Sequence, residues 1–183
     1  MPNINVANVD ARCFQKANPG GIKKIFIVIS EFIVGDWPSV TGGSLDDETN
    51  EILSLPVLAA GAKFAEYKFP NDTASIDSDG AGEPGYGNYK HSVNFNMAGF
   101  SDEVQKEVRK HMNAGAVVVG QMKGGEYVVA GSSDDPIFFK TSFKSGAKGS
   151  DKRGYTLKGD SNGMTWDLPR VPEALIANLE LYA

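Results

Sequence analysis

Cysteine is nearly absent from this chain: Cys13 is the single one among 183 residues. One thiol excludes an intramolecular disulfide and a zinc site built from several cysteines, so nothing in cysteine usage points to an oxidising compartment. Histidine is almost as scarce. A Cys-His nucleophile pair could use only Cys13 with His91 or His111. Positive charge is in deficit too, with 18 Lys and Arg against 23 Asp and Glu and a net charge of −5. A surface that grips nucleic acid would instead carry a basic stripe to neutralise phosphates. Long hydrophobic runs are also missing. The longest, Ile25 to Val34, is broken by Ser30 and Glu31, well short of the ~20 apolar residues that span a bilayer as a helix. Met1 to Asp10 lacks a basic region followed by an apolar core, so no signal peptide is expected. These scarcities describe a soluble protein made in a cytoplasm.

What is abundant is glycine, at 21 residues, within a composition that is 41% hydrophobic and 22% charged. That combination fits a globular chain with many turns. One helix announces itself, from Ser101 to Met112. Ser101 is a good N-cap, and Asp102 and Glu103 put negative charge at the positive end of the helix dipole. Val104, Val108 and Met112 recur at helical spacing with His111 beside them, and Asn113, Ala114 and Gly115 supply a stop at which Gly115 can turn left-handed. A helix of this length barely holds in water alone, so its apolar face is expected to lie on a sheet.

Everything convincing around it reads as strand. Lys23 to Val34 is rich in β-branched residues and nearly unbroken, as in a strand buried on both faces. Lys63 to Phe69 is a short strand. Tyr89, His91, Val93, Phe95 and Met97 alternate with polar residues, the period-two pattern of a strand wet on one face. Ala116 to Met122 and Glu126 to Ala130 flank Lys123, Gly124 and Gly125, a hairpin signal. Ile137 to Phe143 and Arg153 to Lys158 complete the set. Gly35 to Asn50 and Asn71 to Asn88 read as loops, the second too poor in side chains to build a core. Glu173 to Leu181 favours a short helix behind Pro172. The expected fold is therefore α+β, mainly β. It is an antiparallel barrel or sandwich of about seven strands with one flanking helix, with an N-terminal arm over 1–20, a β domain over 21–160 and a C-terminal arm over 161–183.

Motifs for chemistry are weak. Gly80, Gly82 and Gly85 match a dinucleotide-binding spacing, but Pro84 interrupts it and a strand rather than a helix follows. Asp77, Asp79 and Glu83 lack the ligand ladder of a calcium loop. Cys13 sits in a polar arm, and packing roles suit His91 and His111 better than catalysis. Asp134 and Asp135 before Pro136 read as turn residues rather than as paired carboxylates. Lys144, Lys148, Lys152 and Arg153 form the sole basic cluster, which could meet an acidic surface of a neighbouring subunit. No catalytic residue, cofactor or metal is expected.

The order of five segments carries a resemblance. GGIKKIFIVISEF at Gly21 to Phe32 and AKFAEYKFPNDTASI at Ala62 to Ile76 are followed by NYKHSVNFNMAGFSDEVQKEVRKHMNAG at Asn88 to Gly115. Then come VVVGQMKGGEYVVAG at Val117 to Gly131 and GYTLKGD at Gly154 to Asp160. Together they resemble the tail structural proteins of phages and prophages of Bacteroidetes bacteria, a group related in architecture to phage tail tube proteins. The resemblance implies a virion tail protein, assembled in the host cytoplasm, whose copies join into a ring around a channel with DNA as passing cargo. It implies no catalytic residue. Partners would be further copies of the chain and other tail or neck proteins. Contact candidates are Ile76, Asp77, Asp79, Tyr86, Lys148, Lys152, Arg153 and Trp166. The 71–88 loop is expected to serve assembly and to be dispensable for the folded monomer. Channel-facing residues are expected on the polar faces of the strands and to be net acidic or neutral. The competing reading is a monomeric carbohydrate-binding module using exposed aromatics among Trp37, Tyr86, Tyr89 and Trp166. A small hydrolase is the weakest alternative.

Overall fold

The computed structural model describes Val9 and residues 17–182. Cys13 and most of the expected N-terminal arm lie outside the described residues. The described residues are mainly β, with two α-helices and one large mixed sheet that does not close into a barrel. Closure fails because the terminal strands of the curled sheet find no ladder partner in each other.

At its centre lie β1 (Ile22–Ile29) and β9 (Gly115–Met122), antiparallel neighbours from Ile22 opposite Met122 to Ile29 opposite Ala116. Both are buried on both faces, as the β-branched run in β1 suggested. Ile25, Ile27, Ala116 and Val118 enter one apolar cluster, while Phe26, Val28, Val117 and Val119 enter another on the opposite side. Each of these side chains larger than Ala116 contributes about 1.5–3 kcal/mol on leaving water, so this pair concentrates the stability of the fold.

On one side of β9 the predicted hairpin forms, pairing β10 (Tyr127–Ala130) with Val118 to Gln121. On the same edge, Gly115 and Ala116 pair with the start of β11 (Ile137–Lys144). From there run β12 (Gly154–Met164), β8 (Asn88–Ala98) and β7 (Ala74–Ala81), all antiparallel. This ribbon folds back over β1 and β9, since Val93, Phe95, Ile137, Phe139, Leu157, Ala74 and Ile76 share a cluster with Ile25 and Val118. Gly120 shows how tight the closure is: the Ile76 Cδ1 methyl stands where a side chain at 120 would begin.

Several expectations need correction. Asn71 to Asn88 is not one loop: its middle, 74–81, is β7, with Ala74 and Ile76 buried, between a turn at 71–72 and the connection over 82–87. Its glycines and aspartates hid a strand because only two of its inward positions are apolar. The helix is α1 (Asp102–Lys110), with the Ser101 hydroxyl accepting from Val104 N–H at 3.3 Å as expected. Val108 is buried and Val104 packs on the core, but Met112 is 72% exposed. The chain leaves helical geometry at His111, so His111 takes the inward place. Asn113, not Gly115, adopts the left-handed turn, with φ of 58°. Gly115 is instead a close-approach glycine, with the Pro136 ring occupying its Cβ position.

The second cluster is covered by segments expected as loop and arm. Trp37 and Leu45 from 35–50 are buried there, with β3 (Leu45–Asp46) and β4 (Glu51–Ile52) extending the sheet. Residues 161–182, expected as an arm, fold onto the domain: β13 (Arg170–Val171) pairs with β10 and, in parallel, with β4. A short α2 (Glu173–Ile176) does begin behind Pro172. Val171 and Leu179 are buried, and Phe64 exchanges backbone hydrogen bonds with Glu180 and Tyr182 near 2.8 and 3.0 Å. The remaining strands are β6 (Ala65–Tyr67) on the outer edge of β1, and β2 (Ile33–Val34) with β5 (Val57–Leu58) in a separate two-stranded pair.

Candidate assembly surface

The ribbon β11-β12-β8-β7 has an inner face that is core and an outer face that is polar. Alternation forces this, because residues two apart share a face. Register then sets the outer side chains in cross-strand rows. Lys140, Lys158, Asn94 and Ser75 form one; Phe138, Asp160, Ser92 and Asp77 the next; Ser142, Thr156 and Asn96 lie toward the α1 end. Lys90 opposes Asp79 and reaches Asp160 at 2.8 Å. That bond, with the positive charges of Lys90, Lys140 and Lys158, holds the Asp160 carboxyl below its usual range. Thr156 donates to Asn96 Oδ1 at 2.7 Å. Three carboxylates and four lysines, counting Lys144, occupy this face. The face is thus within one charge of neutral, against an expectation of net acidic or neutral for a channel wall.

Both long edges of the ribbon are open among the described residues. β7 pairs only with β8, and β11 beyond Phe138 pairs only with β12. Their outward N–H and C=O groups have water or another chain as partners.

The two ends of the ribbon differ in charge. At the β7–β8 turn, Glu83 and Tyr86 are exposed, Tyr86 at 78%, and Asp77 and Asp79 are exposed on the stretch of β7 that leads to it. The opposite end carries the β11–β12 connection with Lys148, Lys152 and Arg153, all exposed. Asp151 there is held ionised by the N–H groups of Lys148 and Ala147, each donating to it at 2.8 Å. Phe100, Phe143 and Tyr155 cluster beside it with ring centroids 4.9 to 6.2 Å apart, and Phe100 and Phe143 are 48% and 41% exposed.

The remaining candidates separate. Ile76 is a core residue at 7% exposure and serves the chain's own packing. Trp166 packs partly buried against the second cluster. Trp37 is 3% exposed and its indole donates to the Ser54 carbonyl at 2.8 Å, so it offers no sugar platform. His91 is wholly buried: its Nε2–H donates to the Trp166 carbonyl at 3.1 Å and its Nδ1 accepts from Gly131 N–H at 3.3 Å. His111 Nε2 and the Tyr67 hydroxyl share a hydrogen bond at 2.8 Å, with the Phe139 ring edge-on. Burial lowers both imidazoles and raises the Tyr67 hydroxyl. His91 and His111 are thus packed side chains; His91 faces Ser78 and Ser161 across the ladder, and the Ser161 hydroxyl donates to the Asp135 carbonyl at 2.9 Å rather than to the imidazole. Among the described residues, no three His, Cys, Asp or Glu side chains gather as a metal site would require, and no helix is long and apolar enough to cross a membrane.

Comparison with family models, with curated proteins and with solved structures finds no match. The surface must be judged on its own geometry. Sequence reasoning missed the outward row of Phe138, Lys140, Lys158 and Asp160. Alternation in β11 and β12 marks these residues as outward, but nothing local tells which of them meet across strands.

Proposed function

We propose that this chain is a virion structural protein, a phage tail tube or neck ring component, whose copies join side by side into a ring around a channel. The observation that supports this best is the ribbon, a four-stranded antiparallel sheet with a polar outer face and two unpaired edges. A neighbour's β11 laid along β7 would continue the ladder, and repetition around an axis closes the edges that a single copy leaves open. In this reading the sheet folds over as a sandwich, the ribbon is the inner wall, and β1, β9 and the C-terminal segment form its backing. The segment order that resembles Bacteroidetes phage tail proteins points the same way. Duplex DNA is cargo rather than ligand, consistent with an outer face near charge balance instead of a lysine-rich one. No catalytic role is assigned. The carbohydrate-binding alternative is left with Tyr86 and Tyr89 as exposed aromatics, because Trp37 and Trp166 are committed to packing.

Cross-linking tests the ring. In a Cys13→Ser background, Asp77→Cys or Ser75→Cys on β7 is combined with Lys140→Cys or Ser142→Cys on β11. Within one copy these edges lie three strand spacings apart, about 14 Å, beyond disulfide reach. Covalent oligomers that close at a fixed copy number are expected, with rings in electron micrographs. A chain that stays monomeric at all concentrations and forms no cross-link would remove the proposal.

A further inference from the structure

The charges at the two ends of the ribbon cannot meet within one subunit. β8 spans 11 residues between them, about 33 Å at the usual rise per residue. From Asp77 to Asn88 there are three carboxylates and no basic residue, and Lys90, across the ladder from Asp79, is bonded to Asp160; from Lys144 to Arg153 there are four basic residues and one carboxylate. That carboxylate, Asp151, is already engaged by two backbone N–H groups. Each end also presents an exposed aromatic surface: Tyr86 at the acidic turn, Phe100 and Phe143 at the basic end. The α1 carboxylates Asp102 and Glu103 lie nearest the basic end, at the helix N-terminus they stabilise.

We infer that the β7–β8 turn of one copy docks end-on against the β11–β12 connection of a second copy, Tyr86 seating on Phe100 and Phe143 while Asp79 and Glu83 face Lys148 and Lys152. The contact runs along the strands, perpendicular to the edge pairing proposed above. It is head-to-tail, joining two different surfaces, so it leaves a free end of each kind and builds an open stack. The inference extends the ring reading by naming what joins one ring to the next. It also explains why the β7–β8 hairpin projects beyond its last buried residue, His91, which faces Ser78 across the ladder. The exposed stretch from Asp79 to Gly87 adds nothing to the subunit core.

Charge reversal tests it on the full-length protein. One variant carries Asp79→Lys and Glu83→Lys, making both ends basic. The other carries Lys148→Glu and Lys152→Glu, making both ends acidic. All four positions are exposed, so folding should be retained, as circular dichroism would verify. By sedimentation velocity each variant alone should need roughly tenfold more protein than wild type to stack, since attractive contacts become repulsive. An equimolar mixture should stack again, because each end then finds its opposite on the other variant. High salt should weaken wild-type stacks. Tyr86→Ala should weaken stacking without changing its salt dependence. If both variants stack like wild type, or the mixture is no better than either alone, the inference is overturned. Rings that persist unstacked in each variant support it, whereas strings of single subunits without rings would uphold the end contact and remove the ring reading instead.

Discussion

The β1/β9 pair and the β11-β12-β8-β7 ribbon belong to one sheet but solve different problems. Ala116 to Val119 are all 1% exposed or less, every side chain facing apolar neighbours and every position flanked by another strand. The ribbon is buried on its inner face only, and its outer edges have no ladder. A region buried on both sides is finished within the subunit. A region with a polar outer face and open edges is the part left for something else to complete, which is why the proposed assembly surfaces fall there.

The comparison can be broken at its strongest point. Val118→Asp places an unpaired charge between two apolar layers and should abolish folding, seen as loss of soluble protein or of the near-ultraviolet dichroism signal. Ser92→Lys, on the outer face of β8 between Asp160 and Asp77, should leave the monomer folded with stability within about 1 kcal/mol. Val108→Asp should resemble the first and Met112→Asp the second, since Val108 is buried and Met112 is 72% exposed.

Next in size is the inner face of the ribbon. Ile76→Ala should cost about 2–5 kcal/mol in urea unfolding, because the side chain fills the space above Gly120. Replacing Thr73 to Gly87 by an Asn-Gly turn removes Ala74 and Ile76 together and should lower the melting temperature markedly. This is opposite to what a dispensable loop would do, and an unchanged melting temperature would show that β7 is not part of the core.

Acid should separate the regions more gently. Burial depresses His91 and His111 below the ordinary value near 6.5. For His91 the Trp166 carbonyl and Asp167 oppose the shift; for His111, Glu107 opposes it and Lys110 adds to it. The unfolded chain therefore binds more protons just below the ordinary pKa. Stability should be intact above it and fall as pH drops through the depressed values, by at most about 1.4 kcal/mol per pH unit for each histidine. Urea midpoints measured from neutral pH to about pH 5 give the slope, and His91→Gln should flatten it. The smallest effect is expected from Lys90→Met. Its partner Asp160 is 41% exposed, and exposed pairs of this kind contribute about 0.2–1 kcal/mol.

Much of this was legible in the residues. The β1 run, the period-two β8, the Lys123-Gly124-Gly125 hairpin and the Ser101 cap all have local causes, and all stand in the structure. What escaped reading were β7, the inward turn of His111 in place of Met112, and the folding of 161–182 onto the second cluster. None has a local signal. β7 carries the composition of a loop and is a strand because β8 offers it a ladder. His111 points inward because the chain leaves helical geometry one residue before Met112.

By itself, then, the sequence determined a β-rich chain with one capped helix, a strand buried on both faces, and two clusters of opposite charge far apart in order. Those depend on side-chain periodicity and short-range hydrogen bonding, which neighbours in the chain settle between them. Only the tertiary structure decided the cross-strand rows, the open edges, and the placing of the acidic turn and the basic connection at opposite ends of one ribbon. Register is the reason. A strand's partner and its offset are chosen by how distant apolar faces bury one another, and a shift of one residue would turn every outer side chain inward.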